Sequence, residues 1–148
     1  MSERNGFVVT RVFDAPRERV WREWTEPEAF SDWFGGTESE VPLASVVMDV
    51  RTGGAWRATM YAGPARREIR WWGEYREVEA PARLVFTICD RENGEAREEL
   101  VTVDLADLGD GRTEMRVEQR GGMSPEAYER AKAGWGGFFD RIAERLAS

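Results

Sequence analysis

The end of the chain carries a single apolar stripe at helical spacing, and most of the chain from residue 45 up to it alternates with the period of a strand. Trp135, Phe138, Phe139, Ile142 and Leu146 fall at i, i+3, i+4, i+7 and i+11, which is one face of one helix. Arg141, Glu144 and Arg145 lie off that face. Ser124 supplies a cap and Pro125 fits the first turn, so the spacing predicts a helix from Ser124 to about Leu146. Such a helix takes most of its stability from what covers its stripe. The strands before it are the surface available for that.

Residues 45–50 place Val46, Met48 and Val50 on one strand face. After a turn at Gly53-Gly54, Trp56, Ala58 and Met60 alternate with Arg57 and Thr59. Gly63-Pro64 turns the chain into a long strand, 69–78, with a local break expected at Gly73. Ala80-Pro81 leads into 84–88, and Asn93-Gly94 is a hairpin signal. Val101, Val103 and Leu105 share a face of 100–105; Met115 and Val117 share one of 113–119, after a turn at Gly109-Asp110-Gly111. Consecutive hairpins imply an antiparallel meander with one dry and one wet face. Ahead of it, 7–13 reads as a strand that stops at Asp14-Ala15-Pro16, with Asp14 or Ala15 near a helix cap. Val20, Trp21 and Trp24 then follow helical spacing, and Glu26-Pro27 opens a short helix through Phe30, Trp33 and Phe34, closed by Gly35-Gly36. The expectation is one α+β domain over residues 1–148, with the last helix laid across the dry face of a curved antiparallel sheet.

Composition narrows the chemistry. The 148 residues include no histidine, one cysteine (Cys89) and one lysine (Lys132). Histidine-dependent nucleophile systems and imidazole metal sites are therefore excluded. So are an intrachain disulfide and a cysteine-rich zinc site. Oxygen-only calcium binding would lack EF-hand spacing. No cofactor and no metal site is expected. The 21 basic and 28 acidic side chains give a net charge of −7, which opposes binding to nucleic-acid phosphates or anionic lipid. No apolar run approaches the roughly 20 residues that span a bilayer, so no membrane insertion is expected. Residues 1–5 lack the basic-then-apolar plan of a signal peptide, so the expected location is cytoplasmic.

The residues also carry a resemblance. Asp14-Ala15-Pro16 followed by Val20-Trp21 and the Thr25-Glu26-Pro27 break resembles the opening of START-like (SRPBCC) proteins. Trp33-Phe34-Gly35, the run from Asp49 to Trp56, the run from Gly73 to Val78 leading to Pro81 and Thr87, and Gly134-Trp135 follow in the same order. Together they resemble the branch related to the C-terminal domain of the activator of Hsp90 ATPase. The resemblance implies a helix-grip architecture, in which a curved sheet wraps a long C-terminal helix. It also implies a cavity for an apolar ligand between the two. The branch supplies no catalytic motif to carry over, so no catalytic residue is assigned.

The aromatic and methionine load indicates where such a ligand would sit. The candidate lining is Trp33 and Phe34 from the short helix, with Met48, Trp56, Met60, Trp71, Tyr75, Phe86 and Met115 from the strands. Trp135, Phe138 and Phe139 of the last helix complete it. Broad aromatic faces and adaptable methionines suit an apolar pocket, although the same residues also suit a filled core. Gly134, Gly136 and Gly137 each cost the helix about 1 kcal/mol relative to alanine. Close approach to the sheet is the favoured explanation; room for a ligand and a kink in the helix are the others. Arg51, Glu74, Tyr75 and Gln119 are the polar residues whose strand faces are hardest to assign, while Glu98-Glu99 is expected in water. The leading reading is binding of an apolar or aromatic small molecule. A cyclase- or dehydratase-like enzyme using Glu, Tyr or Arg groups is the alternative, as is a co-chaperone-like protein-binding domain. The latter is doubtful in a chain of this length, because the co-chaperone has a separate N-terminal domain. A homodimer through a sheet edge or aromatic patch is a further possibility.

Overall fold

A computed structural model of the chain describes residues 5–90 and 98–147. The elements run β1 (Asn5–Phe13), α1 (Arg17–Thr25), α2 (Pro27–Trp33), β2 (Ser39–Glu40), β3 (Val47–Met48), β4 (Ala55–Ala62), β5 (Arg67–Glu79), β6 (Arg83–Asp90), β7 (Glu99–Gly109), β8 (Arg112–Gly121) and α3 (Pro125–Ala147). The strands form one open antiparallel sheet in the order β1-β8-β7-β6-β5-β4-β2, with β3 also paired to β4. The α+β helix-grip expectation is met: the first strand pairs with the last, and the two short helices sit between β1 and β2 in the chain. Turn chemistry follows the sequence where it can be seen. Gly53, Gly109 and Gly111 take positive φ at the hairpins. The turn expected at Asn93-Gly94 lies outside the described residues.

Three local expectations need correction. The strand expected over 45–50 shrinks to Val47–Met48, because a 3-10 turn at Leu43–Ser45 precedes it. Ser45 Oγ donates to the Pro42 carbonyl at 2.7 Å and accepts from Thr59 N–H at 3.1 Å, replacing ladder bonds. The facing still holds, since Val46 is buried and Val47 exposed. Asp14 caps nothing: Pro16 occupies the N-cap of α1, with no side-chain hydrogen bond there. The break expected at Gly73 does not end β5, which runs on to Glu79, but pairing with β6 lapses at Gly73 and Glu74 and shifts register between Tyr75 and Glu77. The missing side chain at Gly73 lets β6 come close. A Cβ at Gly73 would stand 1.8 Å from the Thr87 carbonyl oxygen and 2.5 Å from Trp56 Nε1.

The dry face of the sheet carries Val101, Val103, Leu105, Met115 and Val117, all buried. Over it lies an aromatic block from α1 and α2. Trp24 and Trp33 meet edge-on at 4.8 Å, and Phe30 stacks on Phe34 at 4.6 Å. Their polar handles find partners: Trp24 N–H donates to Met115 Sδ at 3.3 Å, Trp33 to the Glu23 carbonyl at 2.7 Å, and Trp56 to the Thr87 carbonyl at 2.9 Å. α3 lies closest to β1 and touches α1 and α2. Its cap forms as expected, with Ser124 Oγ accepting from Ala127 N–H at 3.1 Å. Its last turn is clamped by charge. Arg145 donates to both oxygens of buried Glu23, at 2.6 and 3.2 Å, and also pairs with Asp32. Partial burial acts to raise the Asp32 pKa, but hydrogen bonds from Arg145 and Arg141 hold it below its usual value.

The glycines separate two effects. Gly73→Ala should destabilise the protein by about 1–3 kcal/mol through overpacking. Gly137→Ala, on the exposed side of α3 with nothing within 4 Å of its Cβ position, should stabilise it by up to about 1 kcal/mol. Urea denaturation of both variants checks this; equal effects of the two would contradict the assigned packing.

Candidate binding cavity

The inward face of α3 changes character along its length. Toward Leu146 it is large: Trp135 stacks on Phe139 at 5.6 Å, and Trp24 sits 5.9 Å from Trp135. Toward Ser124 it is small, with Ala127, Ala131 and Gly134 facing the sheet across open space. That space is a cavity of about 570 Å³. Phe34, Trp135 and Phe138 wall it toward the aromatic block. Met60, Trp71, Ile88, Cys89 and Asp90 line it from β4, β5 and β6, Glu99 and Gln119 from β7 and β8, and Met123 and Ser124 from the entry to α3. The helix glycines therefore do not serve close packing, as expected above. A Cβ at Gly134, Gly136 or Gly137 would meet nothing within 4 Å. Gly134 opens onto the cavity, and the Gly136 carbonyl accepts from Arg11 Nη2 at 3.1 Å.

One end of the cavity is polar and tightly built. Glu99 is 5% exposed, as is Gln119. Trp135 N–H donates to Gln119 Oε1 at 2.8 Å, and Gln119 Nε2 donates to Glu99 Oε1 at 3.2 Å. Tyr128 O–H donates to the same Glu99 oxygen at 2.7 Å, and Gly122 N–H to Glu99 Oε2 at 3.2 Å. Gly121 makes room for the carboxylate, because a Cβ there would stand 2.0 Å from Glu99 Oε2. Burial, reinforced by the hydrogen bond to Glu99, pushes the Tyr128 hydroxyl up to about 12. Burial also raises the Cys89 thiol, with Glu98, Asp90 and Glu99 adding to it. A shift upward from a value already above neutral keeps this wall thiol protonated at neutral pH. Among the described residues no three His, Cys, Asp or Glu side chains gather as a metal site. No helix there is long and apolar enough to cross a membrane.

The cavity brings together five of the candidate lining residues: Phe34, Met60, Trp71, Trp135 and Phe138. Trp33, Met115 and Phe139 lie in the packed core away from it. Met48, Trp56, Tyr75 and Phe86 line a separate void of about 10 Å³, room for a single water. Burial pushes the Tyr75 hydroxyl well above the ordinary tyrosine value, with Asp49 adding to it. Of the other polar candidates, Glu74 pairs with Arg76 and Arg51 with Asp49 at the surface, while Gln119 is in the cavity. Sequence reasoning missed Glu99 by reading Glu98-Glu99 as a solvated pair. Strand parity carried the signal: Glu99 alternates in step with Val101, Val103 and Leu105. Ala127 and Ala131 likewise precede Trp135 at steps of four.

A family model described as Activator of Hsp90 ATPase homolog 1-like protein matches residues 14–147. Among solved structures, protein CV1439 from Chromobacterium violaceum superposes with a TM-score of 0.86 at 26% identity, over 97% of this chain and 98% of that one. The AHSA1 protein SPO3351 from Silicibacter pomeroyi gives 0.85 at 19% identity, over 97% and 98%. CalU16 from Micromonospora echinospora gives 0.72 at 22% identity, over 97% and 77%. The last two speak to the fold alone. A comparison with curated proteins finds no match.

Tyr128→Phe should lower stability by about 1–2 kcal/mol by leaving Glu99 short of a donor. The raised hydroxyl sets a pH signature. Its contribution is complete below the ordinary tyrosine value near 10 and is lost as pH rises through about 12. Urea midpoints between pH 9 and 12 should fall less steeply in Tyr128→Phe than in the wild type. Identical slopes would contradict the Tyr128–Glu99 bond.

Proposed function

This chain belongs to the Activator of Hsp90 ATPase homolog 1-like family, and from its own cavity we propose that it binds an apolar or aromatic small molecule beneath α3. The observation that carries the reading is the row Ala127, Ala131 and Gly134, which leaves about 570 Å³ open between helix and sheet. Small-molecule sites commonly occupy about 300–1,000 Å³, with mostly apolar walls and a few fixed polar groups. Phe34, Met60, Trp71, Ile88, Trp135 and Phe138 supply the apolar walls, and Glu99 with Gln119 the polar groups. In this reading the protein is a binding module. Of the groups that a cyclase-like reaction was expected to draw on, Glu74 and Tyr75 do not line this cavity. Glu74 is exposed and Tyr75 is buried against the smaller void.

The test uses a neutral fluorescent apolar probe, N-phenyl-1-naphthylamine. The wild type should enhance and blue-shift its emission. Gly134→Leu, which places a side chain in the cavity, should weaken binding about tenfold or more, the worth of the buried contact area it displaces. Gly137→Leu on the exposed side should bind as the wild type does. Equal affinity of the two variants would overturn the cavity reading.

A further inference from the structure

Among the described residues two glutamates are buried, and they are held differently. Glu23 is buried against a guanidinium, taking both its hydrogen bonds from Arg145. Glu99 is equally buried, but its three donors are the Tyr128 hydroxyl, the Gln119 amide and the Gly122 backbone, all neutral. Each of them donates, the pattern an ionised carboxylate requires. Neutral donors replace part of the lost hydration but do not balance the charge. A carboxylate offers about four acceptor positions. Two donors converge on Oε1 and one on Oε2, so a position on Oε2 is left for a further donor.

Asp90 is a second carboxylate on the wall, and among the described residues no arginine or lysine lines the cavity. The rings of Phe34, Trp71, Trp135 and Phe138 line the same cavity, and aromatic faces attract cations at short range. The net charge of −7 draws cations and repels anions over longer distances.

Resting on the cavity reading, we infer that the ligand is an apolar or aromatic amine, protonated at neutral pH, whose ammonium group pairs with Glu99 while its apolar body lies among the aromatic walls. Gln119 is then a positioning residue. Its amide is fixed between Trp135 and Glu99 and holds the carboxylate toward the cavity. The same arrangement disfavours carboxylate ligands of identical shape, because their charge would meet that of Glu99, whose own donors are all neutral.

Three probes with one apolar body separate the possibilities: 2-(1-naphthyl)ethylamine, 2-(1-naphthyl)ethanol and 1-naphthylacetate, titrated calorimetrically into the full chain at pH 7. The amine should bind about tenfold tighter than the alcohol, the worth of a charge-assisted hydrogen bond, and the carboxylate more weakly than the alcohol. Glu99→Gln should abolish the preference for the amine over the alcohol, whatever it does to the affinity the two probes share. Should that variant not fold, the order of the three probes on the wild type decides alone. Binding of the alcohol with no preference for the amine, or a preference for the carboxylate, overturns this inference and leaves the cavity reading standing. Failure of all three probes overturns both.

Discussion

The structure depends on how one helix is held off one sheet. α3 is pinned at its end by large side chains and by Arg145 on Glu23 and Asp32. It is pinned near its start by Tyr128 on Glu99 and by the Ser124 cap. Between those anchors its inward face is alanine and glycine. A helix fixed at both ends does not sag to close the gap under small residues, so the gap persists. Protein interiors normally pack densely, and an unfilled apolar void forfeits dispersion contacts along its whole lining. A bound molecule would restore them. The cavity is thus a consequence of side-chain size along one helix, set against strands that continue past it.

Buried charge follows the same division. Toward the end of α3, the carboxylate taken out of water is matched to a guanidinium, and the result is a clamp. Toward the start, the carboxylate is matched only to neutral donors and opens onto the cavity. Burying a charge without an opposite partner is costly, and Gly121, Gly122, Gln119 and Tyr128 together seat that group. In the proposed reading these are the groups that orient the ligand.

Much of this is legible in the sequence. The i, i+3, i+4, i+7 stripe places α3, and hairpin turns with alternating apolar residues give an antiparallel sheet with one dry face. The family resemblance agrees with the residues matched. The short edge strand near residue 45 is less legible, because Pro42 and the Ser45 hydroxyl offer the backbone a turn that strand periodicity does not register. The cavity is harder still. Aromatic residues mark a core and a pocket alike; Trp33, Trp56 and Trp135 differ only in what stands opposite them, which the linear pattern does not encode. Reading charge locally hid Glu99, although its parity with Val101 placed it on the dry face. Small residues on the helix face were the more direct sign of open space, and large ones drew attention away from them.

The indole N–H resonances test the central claim most directly. In a nitrogen-15 labelled sample, the account predicts that adding 2-(1-naphthyl)ethanol shifts the signals of Trp71 and Trp135, which wall the cavity, while those of Trp24, Trp33 and Trp56 move little. Changes centred on Trp24, Trp33 and Trp56, or none at any indole up to the solubility of the probe, would contradict a ligand space beneath the first half of α3.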